Sequence, residues 1–289
     1  MIKEITARVL LSAAPHPDPW FGIKYTMNLY RGCQHQCIYC DSRSQCYQIE
    51  NFGDVLVKTN AVELLRQELP RKRVKGTIGT GSMNDPYMPL EDERRLTAQA
   101  LMVIAEHRFP VHVLTKSDRV LRDLETLREI GRVYAAVSFT ITAAEDELSK
   151  RVEPGAPPSS RRFQAMQVLA ANGILTGVTM MPILPFIEDT EENIAGIVVR
   201  ARDAGARYIL PAFGMTLRDR QRAYYYLQLD RLFPGLREKY ERRYGDRYEC
   251  PDPNARRLEM IFRELCDRYG LFTRMPLYTP EDSPQLKLL

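Results

Sequence analysis

The chain has 289 residues, with 41 lysines and arginines against 37 aspartates and glutamates, which gives a formal net charge of +4. Hydrophobic residues make up 44% and charged residues 27% of the sequence, a globular composition that excludes wholesale disorder. The charge excess is too small to indicate a nucleic-acid-binding protein by itself. The first twenty residues hold no apolar run long enough for a signal peptide or a membrane span, so we expect a soluble, cytoplasmic protein without a membrane partner.

Strand-like and helix-like segments alternate through the middle of the chain. The hydrophobic pattern predicts strands over 24–30, 76–80, 111–115, 133–140, 175–181 and 208–213, and helices over 61–69, 92–106, 118–130, 161–171 and 191–204. Such alternation predicts an α/β fold with a parallel sheet and helices outside it. A barrel and an open doubly wound sheet produce the same alternation, so this pattern leaves both open.

The chain changes character after Phe213. Residues 218–248 contain nine Lys/Arg, five Asp/Glu and seven aromatic residues. Such a segment could contact phosphates and stack on bases, but arginine and tyrosine also bury their stems on any amphipathic helix. The interspersed acids weaken the nucleic-acid interpretation, which we treat as the less favoured one. A helix over 255–269 and a short strand over 271–274 are predicted at the end.

Three cysteines, Cys33, Cys37 and Cys40, follow the first predicted strand directly. Three thiolates on one loop can hold three irons of a [4Fe–4S] cube and leave the fourth iron open for a reagent. A zinc site that adds Cys46 or His35 is an alternative, although zinc loops usually carry pairs of Cys-x2-Cys. A purely structural role of the thiols is a third reading.

The spacing Cys33-x3-Cys37-x2-Cys40, with Tyr39 before the last cysteine, resembles the signature of the radical S-adenosylmethionine (SAM) superfamily. The wider pattern of residues 24–215 resembles its spore photoproduct lyase-like branch. The resemblance implies that these residues form a partial (β/α)6 TIM-type barrel with the cluster at its mouth. We expect residues 1–23 to precede the barrel as a separate segment, and residues 216–289 to form a mostly helical C-terminal extension packed on it.

The resemblance also implies the cofactors and the chemistry. A [4Fe–4S] cluster would cleave SAM reductively to a 5′-deoxyadenosyl radical, which abstracts hydrogen from a substrate. The substrate would be a small molecule or a peptide, and an electron donor such as flavodoxin or ferredoxin would reduce the cluster. A DNA lesion lyase and a non-enzymatic, zinc-containing nucleic-acid-binding protein are the alternatives.

Five polar residues at predicted strand ends are candidate SAM contacts, namely Ser82, Asp85, Lys116, Ser138 and Thr140. The resemblance places the loop of Ser82 and Asp85 at the methionyl amine, although the Gly-Gly-Glu motif of the superfamily is absent. It places Lys116 near the methionyl carboxylate and Ser138 at the ribose or carboxylate. Ser138 and Thr140 are two residues apart on a strand, so both should face the same side.

Residues 153–155, Glu-Pro-Gly, also resemble this branch. The nearby Arg151 or Arg162 could bind a carboxylate with two parallel hydrogen bonds, but we interpret each as a helix-surface charge. The three outlying cysteines are too scattered for a second cluster. Cys266 suits a buried structural thiol. Cys250 lies on an irregular segment and is a candidate hydrogen-atom donor.

Two positions depart from the lyase pattern. The lyase has a cysteine in the loop after its second strand that returns a hydrogen atom to the product radical, and Ser82 occupies the matching position here. The lyase also has tyrosines on both sides of its third cluster cysteine, whereas this chain has Tyr39 and Asp41. We therefore predict that this chain does not repair spore photoproduct.

Overall fold

A parallel β-sheet forms the centre of the fold. The computed structural model describes residues 1–280, and the strands in this range are β1 (Ile2–Ile5), β2 (Leu11–Ala13), β3 (Ile23–Met27), β4 (Tyr30–Arg31), β5 (Val55–Lys58), β6 (Thr77–Thr80), β7 (Val111–Thr115), β8 (Ala135–Thr140), β9 (Leu175–Ile183), β10 (Tyr208–Thr216) and β11 (Glu249–Pro251). The main sheet has the order β11-β10-β9-β8-β7-β6-β3-β2. Its six central strands are parallel, and the edge strands β2 and β11 are antiparallel to their neighbours.

The order of the parallel strands separates the two architectures that the sequence pattern leaves open. β3, β6, β7, β8, β9 and β10 are neighbours in chain order, without a reversal. Because β-α-β crossovers are right-handed, a sheet that never reverses its order carries its connecting helices on one face. The fold is therefore the predicted partial barrel, and its two edges are covered by β2 and β11 rather than joined to each other.

Helices surround the sheet. The α-helices among the described residues are α1 (Ala61–Glu68), α2 (Glu91–Arg94), α3 (Leu96–Glu106), α4 (Leu124–Gly131), α5 (Asp146–Val152), α6 (Ser159–Ala171), α7 (Glu191–Asp203), α8 (Asp219–Leu232), α9 (Leu236–Tyr244) and α10 (Ala255–Tyr269). Contacts run from α1 to α3, from α3 to α4, from α6 to α7 and from α7 to α10. In α10, Leu258, Phe262 and Cys266 recur every four residues and are buried, so one stripe of this helix faces the core.

Most predicted bounds are close to the observed ones, and β7 and α10 agree at both ends. The helix predicted over 92–106 is interrupted at Arg95, whose φ is 51°. The buried carboxylate of Glu91 accepts a hydrogen bond from the Thr97 amide at 3.0 Å and so helps to satisfy the start of α3. The segment predicted over 118–130 begins as a 3-10 helix, Asp118–Asp123, before α4. Hydrophobic period does not reveal such local polar contacts.

Both terminal regions pair with the barrel. In the N-terminal region, β1 pairs with β5 and β2 pairs with β3, which the sequence pattern does not predict. In the extension, β11 pairs with β10, and α10 packs against α7 and β10. The strand predicted over 271–274 is reduced to one bridge between Phe272 and Tyr208. Residues 281–289 of the predicted extension lie outside the described residues.

Through residue 280, no helix combines the length and the apolar character that a bilayer crossing requires.

Candidate active site

A cavity of about 180 Å³ lies at the C-terminal ends of the central strands. All βα loops of a parallel barrel leave from this side, so residues far apart in the sequence meet here. Seven of the eight predicted site residues line the cavity: Cys33, Cys37, Cys40, Ser82, Asp85, Lys116 and Thr140. Ser138 does not.

The loop that carries the cysteines is held by backbone contacts to a neighbouring segment. The Ile38 amide donates to the Val152 carbonyl at 2.9 Å, and the Gly155 amide donates to the His35 carbonyl at 2.9 Å. A Cβ on Gly155 would lie 2.3 Å from a carbonyl oxygen of the loop, so only glycine allows this approach. The Glu-Pro-Gly run at 153–155 thus supports the cysteine loop.

The three thiols form a donor set that fits a cluster. All three cysteines are free; Cys33 and Cys37 are buried and Cys40 is partly buried. Burial raises the pKa of Cys33 to about 12 and also raises the pKa of Cys37 and of Cys40. A cationic ligand that replaces the proton, as iron does, would stabilise the thiolates here.

The same residues do not fit a single zinc ion. Within residues 1–280, no three His, Cys, Asp or Glu side chains are grouped so that they could hold one metal ion. A [4Fe–4S] cube distributes its thiolates over separate irons, so its ligands need not converge on one point. Cys46, a candidate fourth zinc ligand, is exposed and accepts a hydrogen bond from Arg218 at 3.3 Å.

Asp85 lies in the cavity wall, but its carboxylate is already bonded within the protein. Its Oδ1 accepts hydrogen bonds from the Thr115 hydroxyl at 2.7 Å and from the Tyr87 amide at 2.8 Å, and its Oδ2 accepts one from the Lys116 amide at 2.6 Å. Nδ1 of His35 lies 3.3 Å from Oδ2. Burial opposes the charge, but His35 and these hydrogen bonds lower the pKa of Asp85 to about 2. This arrangement ties the loop after β6 to β7 and to the cysteine loop.

Lys116 enters the cavity from the end of β7 and faces a buried carboxylate. Its Nζ lies 3.8 Å from Oε1 of Glu153, which also accepts a hydrogen bond from the Tyr39 hydroxyl. Burial opposes the charge on Lys116, but the Cys37 thiol and Glu153 raise its pKa, so the ammonium stays charged. Glu153 is a site residue that the sequence analysis did not single out, although the Glu-Pro-Gly run pointed to it.

Arg162 is fully buried, so its interpretation as a helix-surface charge is wrong. Its Nη1 lies 2.5 Å from Oε2 of Glu153 and donates to the Thr140 carbonyl at 2.8 Å. A guanidinium taken out of water needs such partners, because an unpaired buried charge is costly. The pairing joins residues from different elements, and helical periodicity cannot show it. Arg151 is exposed, as expected, and donates to the Leu232 carbonyl.

Ser138 and Thr140 both point into the barrel, but at different depths. The Ser138 hydroxyl lies 2.8 Å from Nε2 of His112 and 2.7 Å from the Tyr208 hydroxyl, in the closed interior. Thr140 lines the cavity, and its hydroxyl lies 2.9 Å from that of Thr179. Two residues of strand put Ser138 about 7 Å deeper. The position of Ser138 therefore does not support the predicted SAM contact.

The loop after β6 passes over the end of β7. Gly81 has a φ of 96°, and a Cβ there would lie 2.0 Å from the Leu114 carbonyl oxygen, so the crossing requires glycine. Ser82 follows at the exposed rim, with its hydroxyl 3.5 Å from the side-chain oxygen of Asn28. The close crossing brings this loop into the cavity wall.

Helix α8 of the extension braces the cysteine loop from outside. Its contacts are a hydrogen bond from Gln221 to the Tyr39 carbonyl at 2.8 Å, one from the Gln45 amide to Asp219 at 3.1 Å, and an ion pair between Arg218 and Asp41 at 2.9 Å. The extension is therefore part of the site's support, which the basic–aromatic pattern of the sequence did not indicate.

The tyrosines of α8 and α9 belong mainly to the core. Tyr225, Tyr226, Tyr240 and Tyr244 are buried in one cluster with Cys250. This burial supports the amphipathic-helix interpretation over base stacking.

The three outlying cysteines do not line the cavity. Cys250 is fully buried, so its position does not support a hydrogen-donor role in the cavity. Cys266 is fully buried in α10, as predicted.

Comparison with known proteins identifies the class. A sequence model of the radical SAM superfamily matches residues 27–197. The chain belongs to the radical SAM superfamily.

Individual relatives extend the match. The chain is 36% identical over 173 residues to the uncharacterized protein MJ0683 of Methanocaldococcus jannaschii; the match covers 59% of this chain and 64% of that protein, less than two thirds of its length. It is 31% identical over 249 residues to the uncharacterized protein Rv2578c of Mycobacterium tuberculosis, and this match covers 83% of this chain and 73% of that protein. The fold is similar to that of a double mutant of spore photoproduct lyase with bound AdoMet and dinucleoside spore photoproduct. The TM-score is 0.71 at 16% identity, and the match covers 96% of this chain and 82% of the lyase chain.

Proposed function

We propose that this chain is an enzyme that holds a [4Fe–4S] cluster on Cys33, Cys37 and Cys40 and uses it with SAM to remove a hydrogen atom from a substrate. One observation carries the proposal: three free thiols, Lys116 and the loop after β6 line one cavity at the mouth of the barrel. When bound, the two cofactors supply a 5′-deoxyadenosyl radical by one-electron cleavage of the sulfonium bond.

The chain's own residues bind and orient the cofactor. The Lys116 ammonium is placed to bind the methionyl carboxylate of SAM by a charge-assisted hydrogen bond. Glu153 keeps this ammonium charged and limits where it can move, because it is itself fixed by Arg162. Ser82 and Thr140 add hydroxyls to the same wall.

The cavity also has an apolar side, formed by Met83, Leu114 and Met181. An apolar wall excludes water, and a reactive carbon radical requires that protection from side reactions. The cavity wall therefore combines cofactor-binding groups with a surface that shields the reacting carbon.

The experiment is anaerobic reconstitution with iron and sulfide, followed by dithionite and SAM. We expect 5′-deoxyadenosine from the wild type and neither bound cluster nor product from the Cys33→Ala, Cys37→Ala and Cys40→Ala variants. Cys46→Ala, at an exposed cysteine outside the lining, is the matched control and should retain both. Retention of iron by the triple alanine variant would refute the assignment.

The substrate is proposed to differ from spore photoproduct. The likeness to the lyase favours a DNA lesion lyase as second candidate. Against it, Ser82 lines the cavity where the lyase pattern has its hydrogen-donating cysteine, and Cys250 is buried and does not line the cavity. The O–H bond of serine is too strong to supply a hydrogen atom to a carbon radical. A small-molecule or peptide substrate, with flavodoxin or ferredoxin as electron donor, remains the main proposal.

A further inference from the structure

A cation without a carboxylate partner lies behind the cysteine loop. Arg43 follows Cys40 by three residues, and its guanidinium carbon lies 3.4 Å from the ring centre of Tyr224 and 4.3 Å from that of Phe52. Its Nη2 donates to the side-chain oxygen of Gln36 at 2.7 Å. Its Nε is buried and has no hydrogen-bond partner among the described residues.

The absence of a counter-charge separates Arg43 from the other cations of the site. Lys116 and Arg162 share the carboxylate of Glu153, and Arg218 pairs with Asp41. Arg43 forms no ion pair with an aspartate or glutamate anywhere in residues 1–280. A guanidinium that is half-buried against two rings, with its Nε buried and unbonded, calls for a negative group nearby.

The cysteine sulfurs become negative when iron replaces their protons, and Arg43 stays close to them because its amide donates to the Cys40 carbonyl at 3.2 Å. Burial lowers the pKa of Arg43, whereas Tyr224 and then the thiols of Cys40, Cys37 and Cys33 raise it. Gln36, which accepts the hydrogen bond from Arg43, itself donates to the Cys33 carbonyl at 2.6 Å, and Phe52 packs in one cluster with Cys33 and Cys40. The guanidinium is therefore tied to the loop that carries the predicted cluster ligands. The two rings fix its position and partly shield its charge from water.

We propose that Arg43 is the counter-charge of the cluster and raises its reduction potential. This inference rests on the proposed function, because it takes the three cysteines as cluster ligands. A cluster with three thiolates carries a net negative charge that grows by one on reduction. A fixed positive charge nearby stabilises the reduced state more than the oxidised state, and the surrounding protein is a known determinant of cluster potential.

The test is a redox titration of the reconstituted protein without SAM, followed by the electron paramagnetic resonance of the reduced cluster. Arg43→Gln should shift the potential to more negative values. We expect the ratio of reduced to oxidised cluster at a fixed potential to fall roughly tenfold, which is about 59 mV for one electron. Arg43→Lys keeps the charge and should restore most of the potential.

Arg220→Gln is the matched control. Arg220 also reaches this loop, where it donates to the Ile49 and Glu50 carbonyls at 3.5 and 3.2 Å, but its side chain is exposed, so water screens its charge and the potential should not change. Tyr224→Leu keeps the charge and admits water, and it should give a smaller negative shift. An unchanged potential in Arg43→Gln or Arg43→Met with full iron content would overturn the proposal. Equal loss of iron from the Lys and Met variants would also overturn it, since the role would then be structural.

Formation of 5′-deoxyadenosine by the same wild-type samples separates this inference from the proposed function. If the potential depends on the charge at position 43 but no 5′-deoxyadenosine forms, the proposed function is contradicted and the role of Arg43 is not. If 5′-deoxyadenosine forms but the potential does not depend on the charge at position 43, the role of Arg43 is contradicted and the proposed function is not.

Discussion

The side-chain amide of Gln221 donates a hydrogen bond to the Tyr39 carbonyl at 2.8 Å, across 182 positions of the chain. The same amide group donates to the Thr216 carbonyl at 2.8 Å, and its oxygen accepts from the Arg218 amide at 2.8 Å. Gln221 is 1% exposed, so all its hydrogen-bonding capacity is used inside the protein. The backbone beside Cys40, the last of the three proposed cluster ligands, is therefore positioned by a residue of the extension.

Gln221→Leu should loosen the cysteine loop. The substitution leaves the carbonyls of Tyr39 and Thr216 without this donor, which should cost on the order of 1–3 kcal/mol per buried group. We expect lower iron content after reconstitution and faster loss of the cluster to a chelator. Gln99→Leu, at an exposed glutamine of α3, is the control. Equal iron retention in the two variants would contradict this role of Gln221.

Lys116→Ala should weaken SAM binding and leave the cluster spectrum intact. Loss of one charge-assisted contact corresponds to about 1.5–3 kcal/mol, or roughly ten- to a hundredfold in affinity. Glu153 retains Arg162 in the variant, so we expect the protein to fold. Equilibrium binding of SAM to the reconstituted protein measures the effect, and Lys75→Ala, at an exposed lysine bonded to backbone carbonyls, is the control. Unchanged affinity would remove Lys116 from the site.

Asp85 should make stability depend on pH in the acid range. Its pKa falls from 3.8 to about 2 in the folded chain, so folding favours the carboxylate. The contribution is fully present above pH 3.8, amounts to about 2 kcal/mol, and is lost as the pH falls towards 2. Asp85→Asn lacks this titration.

Urea unfolding of the metal-free wild type and Asp85→Asn checks this prediction. The difference in the free energy of unfolding should be largest above pH 4 and should narrow towards pH 2. A difference that stays constant over this range would show that Asp85 does not titrate as its contacts require.

Incubation with dinucleotide spore photoproduct under reducing, oxygen-free conditions should yield no conversion to two thymines above background. The physical reason is that Ser82 cannot donate a hydrogen atom. Ser82→Cys tests whether a thiol at this wall position restores turnover, and a true lyase is the positive control. Efficient turnover by the wild type would contradict the prediction, and loss of that turnover in Cys250→Ala would then identify the donor.

The sequence predicts the parts of the site that depend on spacing along the chain. Cys33, Cys37 and Cys40 share one loop, and Lys116 stands at a strand end, so alternation and motif place them at the barrel mouth. Glu153 and Arg162 are different, because their importance comes from a contact with each other and with Lys116. The sequence also does not show how far Ser138 lies from the barrel mouth. Alternation along a strand gives the face of a side chain, but two residues of one face can lie in different layers of the barrel. Hydrophobic pattern carries neither kind of information.

The contacts of α8 with the cysteine loop limit which segments can be exchanged between related proteins. Exchanging everything after residue 215 for a foreign extension would take away Gln221, Asp219 and Arg218, the partners of Tyr39, Gln45 and Asp41. Two segments must therefore be kept together in any exchange, residues 39–47 and residues 218–224, although about 170 positions separate them. A functional chimaera would have to carry both segments from the same parent.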